Sequence, residues 1–189
     1  FTPPYSLFSK KDYKSLYESS SRADREELYR WIEYYKIKFK SRVYTPLNNS
    51  EKYTLVLMGR ADFGLLGSYN KYKQTPFETF HVGGDGMTGS YTYATETIGL
   101  RGYDNGALTP YSDGRAYTRF SMELHFPFLL QPSSTIYGLA FVEGGNAWTS
   151  LENFNPFSLK RSAGVGVRIF LPMIGLMGID WAYGFDKVQ

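Results

Sequence analysis

The chain has no cysteine, which removes at once a disulfide framework, a thiolate-ligated zinc site and a cysteine nucleophile. It has only two histidines, His81 and His125, too few for a His-rich metal centre. Charge of one sign is scarce as well. With 21 Lys and Arg against 18 Asp and Glu, the net of +3 offers no basic footprint for nucleic acid. No run approaches the roughly 18 apolar residues of a membrane helix, and the N-terminus lacks the basic-then-apolar order of a signal peptide. These absences do not reach β-barrels, whose strands hide a lipid face by alternation, so a mean hydropathy of −0.36 does not argue against a membrane protein. Aromatic residues are abundant: 17 Tyr and 14 Phe in 189 residues exclude a disordered chain and fit one folded unit.

The apolar residues recur with the period of a strand. Between Tyr34 and Tyr44, Tyr35, Ile37, Phe39 and Val43 alternate with Lys36, Lys38, Lys40 and Arg42. From Tyr53 to Leu65 one face carries Tyr53, Leu55, Leu57, Ala61, Phe63 and Leu65, and the other turns polar at Arg60 and Asp62. Phe120, Met122, Leu124, Phe126 and Phe128 stand against Arg119, Ser121, Glu123 and His125. Ala163, Val165, Val167, Ile169 and Leu171 stand against Lys160, Ser162, Gly164, Gly166 and Arg168. Met177, Ile179, Trp181, Tyr183 and Phe185 then oppose Gly178, Asp180, Ala182 and Gly184. The stretch from Thr135 to Asn146 is apolar on both faces until Glu143, which leaves its facing open.

Six such segments of roughly ten residues match the length of a tilted strand crossing a bilayer. Short connections around 45–50, 129–133 and 172–175 alternate with long ones at 67–115 and 147–159, as when antiparallel strands join tight turns on one side of a membrane and large loops on the other. Trp31, Tyr34, Tyr44, Phe126, Phe128, Trp148, Trp181 and Tyr183 gather near strand ends, where an interfacial girdle would place them. The fold class expected is all-β, an antiparallel transmembrane β-barrel. A soluble β-sandwich binding module is the alternative, its core formed by the same apolar face. Phe1 to Phe8 reads as the end of a strand broken by Pro3 and Pro4, and residues 9–30 as an outside loop with one short helix over Ser21 to Arg30. Six or seven strands fall short of the roughly eight of a small closed barrel, so the remaining strands are expected from outside this sequence.

The long loop carries Pro76-Phe77-Glu78-Thr79-Phe80-His81-Val82-Gly83-Gly84 and, after the stretch from Asp85 to Ile98, the tetrad Leu100-Arg101-Gly102-Tyr103. Downstream come Ser121-Met122-Glu123-Leu124, Phe141-Val142-Glu143-Gly144-Gly145-Asn146-Ala147-Trp148, Ser162-Ala163-Gly164-Val165-Gly166-Val167-Arg168, Pro172 to Gly175, and Ile179-Asp180-Trp181-Ala182-Tyr183. In that order these motifs resemble the C-terminal barrel strands of the BamA family of outer-membrane assembly factors, within the bacterial surface antigen superfamily. The family's tetrad has Val where this chain has Leu100. The resemblance runs from about Trp31 to the last residue. It implies residence in the outer membrane of a Gram-negative envelope, and the lipid bilayer and unfolded barrel clients as partners. It implies accessory assembly lipoproteins too, and no nucleic acid. It implies a non-enzymatic role in folding and inserting barrel proteins, with no catalytic residue, metal or cofactor. The same superfamily also contains polypeptide-secretion pores of two-partner type. The resemblance makes residues 1–189 the C-terminal part of a barrel domain, lacking the family's N-terminal soluble repeats and its final strand.

In that family the long loop folds into the barrel, where its Arg meets acidic wall residues; the expectation here is that Arg101 pairs with Glu123 or Glu143, since a planar guanidinium can serve two carboxylates. Gly102 fits a turn with positive φ, Gly83 and Gly84 belong to the same loop signature, and Gly144 and Gly145 leave room for the loop tip, with space for Tyr103 to stack. The row Lys36, Lys38, Lys40, Arg42 needs counter-charges, for which Asp62 and Glu123 are candidates. Gly83-Gly84-Asp85-Gly86 lacks the Lys-Ser/Thr of a phosphate loop, and no nucleophile elbow accompanies Asp62 and His125.

Overall fold

The computed structural model describes residues 2–50, 53–86, 95–111, 113–131 and 133–188. Of the stretch from Asp85 to Ile98, residues 87–94 therefore lie outside the described ones. Among the described residues no helix is long and apolar enough to cross a membrane.

The alternating segments become six long strands: β1 Tyr35–Pro46, β2 Val56–Gly67, β5 Ala116–Gln131, β6 Ser134–Trp148, β7 Lys160–Leu171 and β8 Gly175–Gly184. They form one antiparallel sheet in the order β1-β2-β5-β6-β7-β8. The register locks the alternation, because a slip of one residue would exchange every side chain between faces. Lys40 stands opposite Asp62, Asp62 opposite Arg119, and Ser121 opposite Glu143. On the apolar side Phe39, Phe63 and Phe120 stack across three strands, with ring centroids 6.2 and 5.3 Å apart. That side is uncovered: Ile179 is 80% exposed and Trp181 71%, the opposite of a sandwich core.

Strand β5 holds a register shift between Pro127 and Leu129, which accommodates a proline lacking the N–H that a regular ladder would use. The β7–β8 hairpin closes through Pro172-Met173-Ile174, with Ile174 N–H donating to Leu171 O at 3.0 Å and Gly175 at φ +92°. Such a three-residue loop requires a left-handed residue at its end, which glycine supplies without strain.

Between β2 and β5 the chain makes a large insertion that turns back onto the polar face. It contains β3 Thr79–Val82 and β4 Thr95–Ile98, a two-stranded parallel pair. Four-residue strands are too short to read from periodicity, and the alternation did not anticipate them. Phe80, Val82 and Ile98 from this pair bury against Leu66 and Tyr117 of the sheet, with the Phe80 and Tyr117 rings edge to face at 4.7 Å. This buried apolar cluster therefore lies between insertion and sheet, on the face opposite the exposed aromatic ladder.

The N-terminal expectation of a broken strand and one helix is corrected. Three short helices, α1 Tyr5–Phe8, α2 Tyr13–Glu18 and α3 Arg22–Tyr29, precede β1. Pro3 and Pro4 have no N–H to give a ladder, and Pro4 instead stands at the position preceding the first turn of α1. Thr2 still meets the chain just before β1, donating from its N–H to Tyr34 O at 3.1 Å.

Candidate functional site

The tip of the insertion is built by its glycines. Gly83 and Gly84 have φ of +135° and +72°, and they bring the returning chain alongside: Leu100 N–H donates to Gly84 O at 3.0 Å, and Gly84 N–H donates to Tyr103 O at 3.1 Å. Leu100 is fully buried. Gly102 has φ +92°, and a Cβ there would come within 2.9 Å of Ser162 Cβ and 3.0 Å of the Gly184 nitrogen. The turn therefore presses backbone to backbone on β7 and β8, a contact that any side chain at 102 would break.

This turn directs Arg101 onto the polar face. Its Nη2 donates to Glu143 Oε1 at 2.6 Å and also bonds Glu123, Nη1 reaches Asp180 Oδ2 at 3.3 Å, and its backbone N–H donates to Glu143 Oε2 at 2.9 Å. The guanidinium lies over the Phe141 ring, 3.6 Å from its centroid. Burial works against the charge on Arg101, but the hydrogen bonds and negative charges of Glu143 and Glu123 outweigh it and hold its pKa above the ordinary value.

Each wall carboxylate also has a partner of its own. Arg119 donates to Glu143 Oε1 at 2.8 Å and Ser121 Oγ to the same oxygen at 3.1 Å. Arg168 donates to Asp180 Oδ2 at 2.7 Å, and a ring nitrogen of His125 stands 2.9 Å from Glu123 Oε2. Glu143 is the centre: its side chain is fully buried, and four donor groups converge on it. Three carboxylates face Arg119 and Arg168, and Arg101 supplies the cation that balances them.

The structure thus brings together Arg101, Glu123 and Glu143, and adds Asp180, which pattern reading left as an ordinary polar-face residue. Sheet register, which places Asp180 opposite Gly166 with Arg168 two residues along β7, brings it there, and no local spacing in the sequence signals it. Gly145 packs under the tip, where a Cβ would lie 3.1 Å from Leu100 Cδ1. Gly144 does not: alternation turns it to the other face, toward Leu159. Tyr103 lies over Gly184 rather than beside Gly144, and its hydroxyl donates to Arg161 O at 2.7 Å.

The cationic row finds its counter-charges in the insertion, not in Asp62 or Glu123. Lys36 Nζ is 2.9 Å from Glu78 Oε2 and 3.2 Å from Glu96 Oε2, while Lys38 and Lys40 reach Glu96 at 3.0 and 3.4 Å. Asp62 is taken by its own strand neighbour two residues away, Arg60. Glu96 loses solvation on burial, which alone would raise its pKa, yet hydrogen bonds from Lys38 and Lys36 hold it below the usual carboxylate value. Among the described residues no group of three or more His, Asp or Glu is placed to hold a metal ion.

Two comparisons bear on this arrangement. A family model described as Omp85 superfamily domain matches residues 20–189. Among solved structures, the fold is shared with BamA from Haemophilus ducreyi lacking POTRA domains 1-3, at 21% identity and a TM-score of 0.62, over 82% of this chain and 32% of that one. The chain thus spans about a third of that relative's length.

Proposed function

The chain belongs to the Omp85 superfamily of bacterial outer-membrane proteins, and from that premise we propose that it forms the C-terminal part of the barrel subunit of an assembly machinery, folding other β-barrel proteins and inserting them into the outer membrane. The observation that carries this reading is the seating of the insertion tip on the polar face through Arg101, Glu143, Glu123 and Asp180. Read as a barrel, the uncovered aromatic face meets lipid, the polar face lines the lumen, and the insertion at about 67–115 is a loop docked inside it. A tip that touches β5, β6, β7 and β8 together fixes the relative positions of these strands.

The work in this reading is done by main-chain pairing and not by a reacting side chain. A weakly paired strand edge in the complete barrel presents N–H and C=O groups that template an incoming strand, and the membrane penalty for unpaired backbone groups drives the client to complete its own closure. Unfolded barrel proteins are then the clients, and accessory lipoproteins the partners that would deliver or hold them.

Depletion of the full-length gene product in its host, with quantitation of unrelated barrel proteins in the outer membrane, tests this. A broad loss of barrels with inner-membrane proteins and lipoproteins spared is the expected result. Loss of one secreted polypeptide with barrels intact would overturn it in favour of a dedicated secretion pore.

A further inference from the structure

The three short connections at the end of the sheet opposite the insertion differ in chemistry. The β1–β2 connection is polar, and Asn48 braces it by accepting from Leu55 N–H at 2.8 Å and donating to Tyr53 O at 2.9 Å. The β5–β6 connection runs through Gln131, Ser133 and Ser134. At the β7–β8 turn, by contrast, no residue from Ile169 to Met177 carries a charge, an amide or a hydroxyl on its side chain. Met173 is 98% exposed and Ile174 67%. The alternation also ends here. Phe170 and Leu176, register partners on the polar face, are apolar and exposed, so the tip is apolar on both sides.

We infer that the β7–β8 turn, Leu171 to Gly175, is embedded in the periplasmic-side leaflet of the outer membrane, an apolar peg below the barrel wall while the other two turns stay in water. The inference rests on the membrane-barrel reading of the sheet. Three observations favour lipid as the occupant. The tip is continuous with the exposed apolar row Met177, Ile179 and Trp181 of β8 and with Val167 and Ile169 of β7, so no polar boundary separates it from the face that meets lipid in the barrel reading. Its backbone exposes few donors: Pro172 has no N–H, Ile174 N–H is satisfied inside the turn, and the ladder continues to Leu171 and Gly175. A protein partner would be met by a polar rim around an apolar centre, and this tip has no such rim. Length fixes the depth. The 10-residue β8, rising about 3.3 Å per residue at a tilt of about 40°, spans the roughly 25 Å apolar band of an outer-membrane barrel, which places the turn beyond it among the headgroups and upper acyl chains of the periplasmic-side leaflet.

Residues 1–189 contain no cysteine, so a single introduced thiol here is the only one in this part of the barrel. Met173→Cys, Ile179→Cys and Asn49→Cys are introduced singly into an otherwise cysteine-free full-length protein and reconstituted in phosphatidylethanolamine and phosphatidylglycerol vesicles. Their reaction rates with a charged, membrane-impermeant thiol reagent are then compared. The expected result is a fast Asn49→Cys, with Met173→Cys and Ile179→Cys each slower by about tenfold or more, as burial of a side chain of this size would give. Met173→Cys reacting as fast as Asn49→Cys while Ile179→Cys is protected would overturn the inference and leave the barrel reading intact. Reactivity of Ile179→Cys as well would overturn both. Protection of Met173→Cys in native membranes but not in lipid vesicles would show that a protein covers the turn, and would also overturn it.

Discussion

Removing the host carboxylate Glu143 should destabilise the protein more than removing the guest cation Arg101, although the two share one salt bridge. In Arg101→Ala, Glu143 keeps Arg119 and Ser121, Asp180 keeps Arg168 and Glu123 keeps His125. Every wall carboxylate thus keeps a hydrogen-bond partner, and the loss is that of charge-assisted hydrogen bonds, about 1.5–3 kcal/mol. In Glu143→Gln, Arg119, whose side chain is only 11% exposed, loses the one carboxylate that pairs with it among the described residues, and Arg101 loses its most buried partner. An uncompensated buried charge costs about 3–5 kcal/mol. Arg101→Lys should fall between wild type and Arg101→Ala, because an ammonium keeps the charge but cannot serve carboxylates on two sides and stack on Phe141 at once. Urea unfolding of the protein in lipid vesicles, followed by tryptophan fluorescence, reads these differences. Arg101→Ala equal to or worse than Glu143→Gln would refute the reasoning that the wall carboxylates keep partners of their own; Arg101→Lys as stable as wild type would refute the role of the planar fork.

Gly102→Ala should lose about 1–3 kcal/mol from the positive φ alone, with more from the clash against Ser162 and Gly184; hydrogen exchange at Leu100 and Tyr103 amides should rise while β1–β2 amides stay protected. The tie between Glu96 and the lysine row should be sensitive to acid. Because the folded pKa of Glu96 lies below its ordinary value of 4.5, its contribution is complete above pH 4.5 and is lost as pH falls through the lowered value. Exchange in β3 and β4 should therefore accelerate below that pH, and Glu96→Gln should show the acceleration already at neutral pH.

Alternation located five of the six long strands, because a bilayer on one side and a polar interior on the other impose opposite demands on neighbouring residues, and β6 was marked only by its apolar run. Where both demands were weak, the pattern was silent. Leu139 and Phe141 are as apolar as Ala140 and Val142, and only pairing of Ser121 with Glu143 fixes which of them face the insertion. The association of Arg101 with Glu123 and Glu143 was legible through a motif, whereas Asp180 was not, since its distance to Arg101 is set by sheet register and not by any local spacing. The same limit explains Lys36, Lys38 and Lys40. Their partners, Glu78 and Glu96, lie roughly forty or more residues away in a segment whose strands are too short to carry a periodic signal. Helices α1 and α2 escaped notice for a similar reason, being single turns or little more.

The contact of the insertion tip with β6, β7 and β8 is made largely of atoms that are not there. Gly102, Gly145 and Gly184 each hold a place where a Cβ would press on backbone or on a packed side chain. In mutational terms this fit can be degraded but not adjusted. Every single-nucleotide missense change of a glycine codon adds at least a Cβ, so none of these three positions has a conservative neighbour in the genetic code. Leu100 and Tyr103 have several. Drift in this region therefore has to pass through the side chains that flank the turn while its backbone trace stays fixed, and a lineage that once lost one of the three glycines would regain the fit only by reversion or by reshaping two strands at once.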